Sequence, residues 1–200
     1  MLLLTVPKQG VLEGVQPAHT RAQITRLAAL TALHCQSNRF RTLPPPLLDL
    51  TGLLYLDISL NGLSRLPGGI TSLAALHHLD LSDNRLAELP AEVGALTNLT
   101  NLSLHSNNLP TVPREVGRLA RLRRLALHTN MLQEVPASLG ELAELTWLSL
   151  NNNKLSAVPP ELFKCAPHMH AAARPCAAST LAMPRTRQPA AWVRALWVTC

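Results

Sequence analysis

Aliphatic residues recur along the chain in one fixed order, which is clearest between residues 99 and 119. The apolar positions there are Leu99, Leu102, Leu104, Leu109, Val112, Val116 and Leu119, with Asn107 and Pro113 among them. The same order returns 23 residues earlier and 23 residues later, and it fits six times from Leu30 to about residue 166. A fixed period of this length predicts a solenoid, in which each repeat packs on its neighbours.

Each repeat begins with a short stretch of alternating residues. Leu102 and Leu104 point one way, whereas Asn101, Ser103 and His105 point the other way, as in a short strand. A Leu-Pro or Val-Pro step follows, and it fixes an extended residue before the proline. The next residues are predicted to return on the other side as a short helical turn. The chain is therefore predicted to be an α/β solenoid, with a curved parallel sheet on its concave face and helical turns on its convex face.

An asparagine stands in every repeat where the strand must turn. Its amide can both donate and accept hydrogen bonds, and so can pair turn backbone that would otherwise be unsatisfied. We therefore predict a buried ladder of stacked asparagines. Its members are Asn38, Asn61, Asn84, Asn107, Asn130 and Asn153.

The segment L-x-x-L-x-L-x-x-N-x-L is matched six times, and on it the chain resembles the leucine-rich repeat family. The second half of each repeat, as in residues 89–96, resembles the 23-residue subclass of intracellular Ras-group proteins, which includes Ras suppressor proteins and scribble-like scaffolds. This resemblance implies a cytoplasmic scaffold or signalling adaptor without catalysis. It also implies a protein partner, such as a component of a small-GTPase pathway.

Three segments are expected in the chain of 200 residues. Residues 1–29 form an N-terminal segment, in which Thr20 to Gln23 resembles a capping box that opens a capping helix. Residues 30–165 hold the six repeats. Residues 166–200 are basic, rich in alanine and proline, and expected to be disordered. There are two alternatives for this tail. It forms a short partner-binding or membrane-surface helix near residues 189–198, or it stands where the natural protein has further repeats.

Charge limits the class of partner, and cysteine content and hydropathy indicate the cellular compartment. Residues 1–165 hold fourteen basic and twelve acidic residues, so most of the net charge of +6 lies in the tail. The arginines between residues 114 and 124 have no interleaved aromatic residues, which argues against a nucleic-acid partner. Cys35 and Cys165 occupy core positions, and no C-x-x-C pair occurs, which favours a reducing compartment. With no apolar run long enough for a signal peptide or a membrane span, we expect a cytoplasmic protein without stable membrane insertion.

The outward side of the strands is predicted to bind the partner. Tyr, Trp and Arg most often dominate binding energy, and this side presents Tyr55, Arg124 and Trp147. It is acidic toward the first half of the solenoid and basic toward the second. The predicted partner-binding residues are Tyr55, Asp57, His78, Asp80, Asn101, His105, Arg124, His128 and Trp147.

Metal binding and catalysis on this surface have weaker support. His105 and His128, with Asp80 and Asp83, suggest a metal site, and Ser82 beside His105 suggests a nucleophile and its base. No oxyanion-hole or phosphate-binding glycine loop accompanies them, so we expect no enzyme, no cofactor and no metal.

A cluster of arginines on the convex side forms a second candidate surface. Arg114, Arg118 and Arg121 share this stripe, which either binds an acidic or phosphate-bearing partner or is simply solvated.

The function predicted from the sequence is that of a non-catalytic scaffold or adaptor that binds a protein through the concave face. The alternative is the recognition part of a larger signalling protein, such as a receptor kinase or cyclase.

Overall fold

A single parallel sheet runs through the part of the chain that the computed structural model describes, residues 2–5 and 30–164. Its seven strands follow one another in chain order. They are β1 Leu2–Thr5, β2 Leu30–His34, β3 Tyr55–Asp57, β4 His78–Asp80, β5 Asn101–Ser103, β6 Arg124–Ala126 and β7 Trp147–Ser149. From β2 onward each strand pairs with the next in one register, so that Leu79 faces Leu102 and Leu102 faces Leu125. The predicted repeat solenoid is confirmed.

A short 3-10 helix follows each strand from β2 to β7 on the convex side. These helices are Pro45–Asp49, Gly68–Ser72, Ala91–Ala95, Arg114–Arg118, Ala137–Glu141 and Pro160–Lys164. All six follow a proline directly, and Pro113, for example, has φ −65° and ψ 144°. The proline ring fixes φ and turns the chain out of the sheet. The predicted helical turns are thus five-residue 3-10 helices, and residues 2–5 and 30–164 contain no α-helix.

The core is a column of aliphatic side chains between the sheet and the 3-10 helices. The central residue of each inner strand is fully enclosed, and Leu102 is 1% exposed, whereas Asn101 and Ser103 beside it are half-buried. Leu102 therefore lies between Leu79 and Leu125 of the neighbouring repeats. Because each leucine is covered by the repeats on both sides, no repeat has a complete core of its own.

Asparagine side chains tie each repeat to the one before it. Asn107 Nδ2 donates to the carbonyl of Leu104 at 3.1 Å and to the carbonyl of Leu81, in the preceding repeat, at 3.0 Å. Asn107 Oδ1 accepts from the backbone N–H of Leu86, also in the preceding repeat, at 2.9 Å. The same arrangement is made by Asn61, Asn84, Asn130 and Asn153.

Asn38 marks the N-terminal end of this ladder. Its Nδ2 donates to Cys35 O at 2.9 Å, but its buried Oδ1 has no hydrogen-bond partner among the described residues. In later repeats the donor is the backbone N–H of the residue 21 positions earlier.

Strand β1 was not predicted from the sequence. Leu2–Thr5 pairs in parallel with β2 and forms one edge of the sheet. The predicted capping helix from Thr20, Cys165, the tail and the helix suggested near residues 189–198 lie outside the described residues. Within the described ranges no helix is long and apolar enough to cross a membrane.

Glycines allow the 3-10 helices of the later repeats to approach closely. A Cβ on Gly117 would lie 2.4 Å from the backbone oxygen of Ser138 in the next repeat. A Cβ on Gly94 or on Gly140 would clash in the same way, at 2.3 Å and 2.4 Å from a backbone oxygen of the next repeat. Gly62, by contrast, has its nearest neighbour, Phe40 O, at 3.4 Å.

The asparagine ladder predicts that Asn107→Asp destabilises the protein. The carboxylate keeps one acceptor for Leu86 N–H, but its other oxygen faces backbone carbonyls to which Asn107 now donates. We expect a loss of about 1–3 kcal/mol or more in the free energy of unfolding, measured by urea denaturation. The control is Asn108→Asp at an exposed position, for which the change stays within about 0.5 kcal/mol. Equal effects of the two changes would contradict this role of Asn107.

Packing of the 3-10 helices predicts that Gly117→Ala is harmful, because the added Cβ displaces the backbone of Ser138. We expect a loss of about 1–3 kcal/mol, measured by thermal and urea unfolding. The matched change Gly62→Ala has room, and Gly62 lacks a positive φ. It should leave stability unchanged or raise it by about 0.4–1 kcal/mol. A Gly117→Ala protein as stable as Gly62→Ala would refute the close approach.

Candidate functional site

The register of the sheet arranges the predicted binding residues in columns on the concave face. Tyr55, His78, Asn101, Arg124 and Trp147 are successive pairing partners in one column. Asp57 and Asp80 belong to the next column, which starts from His34 on β2 and continues through Ser103, Ala126 and Ser149. Since neighbouring strands lie about 4.8 Å apart, each side chain in a column can contact the next.

Three neighbouring rings lie at the start of the concave face. The ring of Tyr55 lies 4.4 Å from that of His78, nearly parallel at 10°, and 4.8 Å from that of His34 on its other side. His78 therefore covers one face of Tyr55, and the ring of His34, tilted by 37°, lies on the side of the preceding strand. His34 was not among the predicted binding residues, although it stands 23 residues before Asp57 in the same frame. Burial, and secondly the charges of Asp57 and Asp80, raise the pKa of Tyr55, so its hydroxyl stays protonated.

Two aspartates beside this stack are held in fixed orientations by serines. Asp57 Oδ1 accepts hydrogen bonds from the backbone N–H of Ser59 at 3.0 Å and from its hydroxyl at 2.7 Å. Asp80 Oδ1 accepts from the N–H and the hydroxyl of Ser82 at 2.9 Å and 2.6 Å. An Asp-x-Ser sequence occurs at both positions and orients both carboxylates. This repeated sequence is a signal from which the orientation could have been predicted.

Ser82 is therefore a support for Asp80. It is 4% exposed, although it was placed in an outward column, and its hydroxyl donates to Asp80. The hypothesis of a Ser82 nucleophile with His105 as base has no contact to support it, because His105 Nδ1 lies 3.3 Å from Ser106 Oγ and 4.0 Å from Asp83. Across residues 2–5 and 30–164, no three His, Cys, Asp or Glu side chains are grouped so that they could hold a metal ion.

His105 and His128 form a second ring pair farther along the face, with centroids 4.4 Å apart and planes at 13°. Burial, and secondly the neighbouring His105, lower the pKa of His128, while Asp83 opposes the change. Burial is also the main cause that lowers the pKa of His78, against the opposing charges of Asp80 and Asp57. Both His78 and His128 are therefore neutral at physiological pH.

Arg124 and Trp147 lie at the other end of the face. Arg124 is exposed and makes no ion pair with any described residue, whereas Arg123 next to it pairs with Glu144 at 3.0 Å. Trp147 is half-buried on the adjoining strand and is the register partner of Arg124. Ala126, which ends the same strand as Arg124, is only 6% exposed. Arg and Trp are among the residue types that most often dominate binding energy at protein interfaces.

Two of the convex arginines are already engaged. Arg114 Nε donates to Glu115 at 3.1 Å, and Arg121 donates to Asn98 Oδ1 at 3.2 Å. A backbone hydrogen bond, and secondly the bond from Arg114, lower the pKa of Glu115. These contacts within the protein leave Arg118 as the more available charge of the stripe.

Comparisons with known proteins give matches of sequence family and of structure. A family model described as a leucine-rich repeat region matches residues 45–149, and a second, described as a leucine rich repeat, matches residues 144–166. A search of curated proteins gives no match.

Solved structures that resemble the chain include proteins from a bacterium and a plant. A leucine-rich repeat protein of Leptospira interrogans is 30% identical with a TM-score of 0.69, over 80% of this chain and 38% of that one. The leucine-rich repeat ectodomain of the membrane receptor kinase GASSHO1/SCHENGEN3 from Arabidopsis thaliana, in complex with CASPARIAN STRIP INTEGRITY FACTOR 2, is 29% identical with a TM-score of 0.65. That match covers 82% of this chain and 19% of the receptor chain. Since the first family model alone spans more than half of the sequence, the chain belongs to the leucine-rich repeat family.

Proposed function

We propose that the protein is a non-catalytic interaction scaffold or signalling adaptor that binds a protein partner through the concave face of its sheet. Leucine-rich repeat domains generally act as protein-interaction modules. The observation that carries the proposal is the pair formed by Arg124, which has no ion-pair partner among the described residues, and the half-buried Trp147 beside it. A guanidinium and an indole gain much of their binding energy when a partner excludes water from them.

The binding surface extends from this pair toward the strands at the other end. Asn101 and His105 lie half-buried in the middle of the face, and the stacked His78 and Tyr55 lie beyond them. Tyr55, His78 and His105 are each held by a neighbouring ring, so these three side chains lose little freedom when a partner binds.

The finer assignment is to the Ras-group subclass, with a cytoplasmic location and a partner in small-GTPase signalling. The 23-residue period and the Leu-Pro or Val-Pro step support the subclass. Cys35 supports a reducing compartment, since it is a free thiol inside the core, and burial raises its pKa to about 12. Fluorescent tagging of the full chain tests the location, and a signal confined to the cytoplasm is expected.

A second candidate is the recognition part of a larger signalling protein. The observation that favours it is the likeness to the ectodomain of a receptor kinase, of whose chain this protein spans 19%. Sequencing of full transcripts separates the two proposals, because a kinase or cyclase domain in the same reading frame supports the second.

Binding through the concave face predicts that Arg124→Glu together with Trp147→Ala abolishes recovery of the partner. The double change reverses the unpaired charge and removes the indole, and neither side chain is fully buried. Affinity purification with the full chain, followed by mass spectrometry, measures the recovery. The expected result is a partner recovered by the unaltered protein and lost with the double variant.

The matched control is Arg118→Glu, which reverses an exposed charge on the convex side. It should leave recovery of the same partner unchanged. If the partner is lost with Arg118→Glu and still recovered with the concave double variant, the interface lies at the convex arginines instead.

A further inference from the structure

Two carboxylates of like charge lie side by side on neighbouring strands. Asp57 and Asp80 are direct register partners on β3 and β4. Like charges in this position repel each other and destabilise a sheet. Among the described residues no lysine or arginine forms an ion pair with either aspartate; the nearest basic group is His34 Nδ1, 4.0 Å from Asp57 Oδ2. A cation supplied from outside would relieve this repulsion.

The same carboxylates are prepared to receive a cation. Each uses Oδ1 to accept two hydrogen bonds from the serine two residues on, which fixes the side chain. The serines are themselves buried, at 9% and 4% exposed. Because the carboxylates are already ordered, a ligand that pairs with their other oxygens does not bear the cost of ordering them.

An opposite charge lies on the same face at a fixed distance. Arg124 is two strands beyond Asp80 and three beyond Asp57, in the neighbouring column, two residues away along the strand. With about 4.8 Å between strands and roughly 7 Å for the two-residue offset along the strand, the midpoint of the two aspartates lies roughly 14 Å from Arg124, which is the length of about four residues of extended chain. Trp147, one strand farther, provides an apolar contact beside Arg124.

We propose that the concave face binds an extended segment of the partner protein that crosses the strands with a defined charge order. A lysine or arginine of this segment pairs with Asp57 and Asp80. An aspartate or glutamate about four residues away in the segment pairs with Arg124 beside Trp147. This proposal rests on the proposed function, and it adds the chemistry of the partner.

A divalent cation is the competing ligand for the two aspartates. Two carboxylates alone supply few of the six to eight oxygen ligands that calcium takes. In the described part of the chain, Asp57 and Asp80 belong to no group that could hold a metal ion. The peptide segment is therefore the occupant that the charges on both ends of the face favour.

Selection of peptides from a random display library on the full-length protein tests the proposal. Bound peptides should be enriched in a basic residue and an acidic residue separated by about four positions. Asp57→Asn with Asp80→Asn keeps an oxygen for the serine hydrogen bonds but removes the charge. For a selected peptide, fluorescence anisotropy should show at least about ten-fold weaker binding to this variant and to Arg124→Glu.

Charge exchange gives the decisive result. A peptide whose acidic residue is replaced by lysine should bind Arg124→Glu better than it binds the unaltered protein, whereas the original peptide shows the reverse preference. The control is Arg118→Glu, which carries the same charge reversal on the convex side and should not discriminate between the two peptides.

Each other outcome overturns the inference in a distinguishable way. Peptides without a charge pattern that still lose binding on Trp147→Ala would overturn the charge order and leave the concave interface intact. Absence of any peptide sensitive to concave-face variants would overturn both proposals. Calcium binding by calorimetry that disappears with Asp57→Asn and Asp80→Asn would make the aspartates a cation site instead.

Discussion

The structure depends on the hydrogen bonds that the five ladder asparagines from Asn61 to Asn153 make to the turn of the preceding repeat. Asn107 joins two carbonyls and one N–H that no strand partner reaches, and it does so inside the core. Because every bond joins residues at a constant offset, adjacent repeats cannot slide by one position. The concave columns follow from this, since residues such as Tyr55 and His78 stack only if the register is held.

The asparagines of all six repeats also sustain a strained backbone. The residue before each of them has a positive φ between 52° and 58°, and none of these residues is glycine. They are Ser37, Leu60, Asp83, Ser106, Thr129 and Asn152. A left-handed conformation costs an ordinary residue about 1–2 kcal/mol, and more is expected where the side chain is branched, as in Thr129. The turn directs Asp83 toward His105, so local strain and the geometry of the binding face are linked.

The sequence predicted the features that repeat with the 23-residue period. The leucine frame, the proline steps and the asparagines recur in every repeat, and the sheet and its convex turns follow from them. Features that depend on contacts between particular repeats were not predicted. The contact of Tyr55 with His34 required knowledge of ring orientation, and the burial of Ser82 required knowledge of its bond to Asp80. Strand β1 was missed because Leu2–Thr5 lies outside the repeating frame.

The direction of the asparagine bonds bears on how the chain assembles during synthesis. Leu86 N–H lies inside the core and finds its acceptor only in Asn107, which is translated 21 residues later. At a translation rate of about 5–20 residues per second, the interval is roughly one to four seconds. The repeat most recently released from the ribosome therefore has an open turn until its successor emerges. Completion of the fold must trail elongation by one repeat along the whole array.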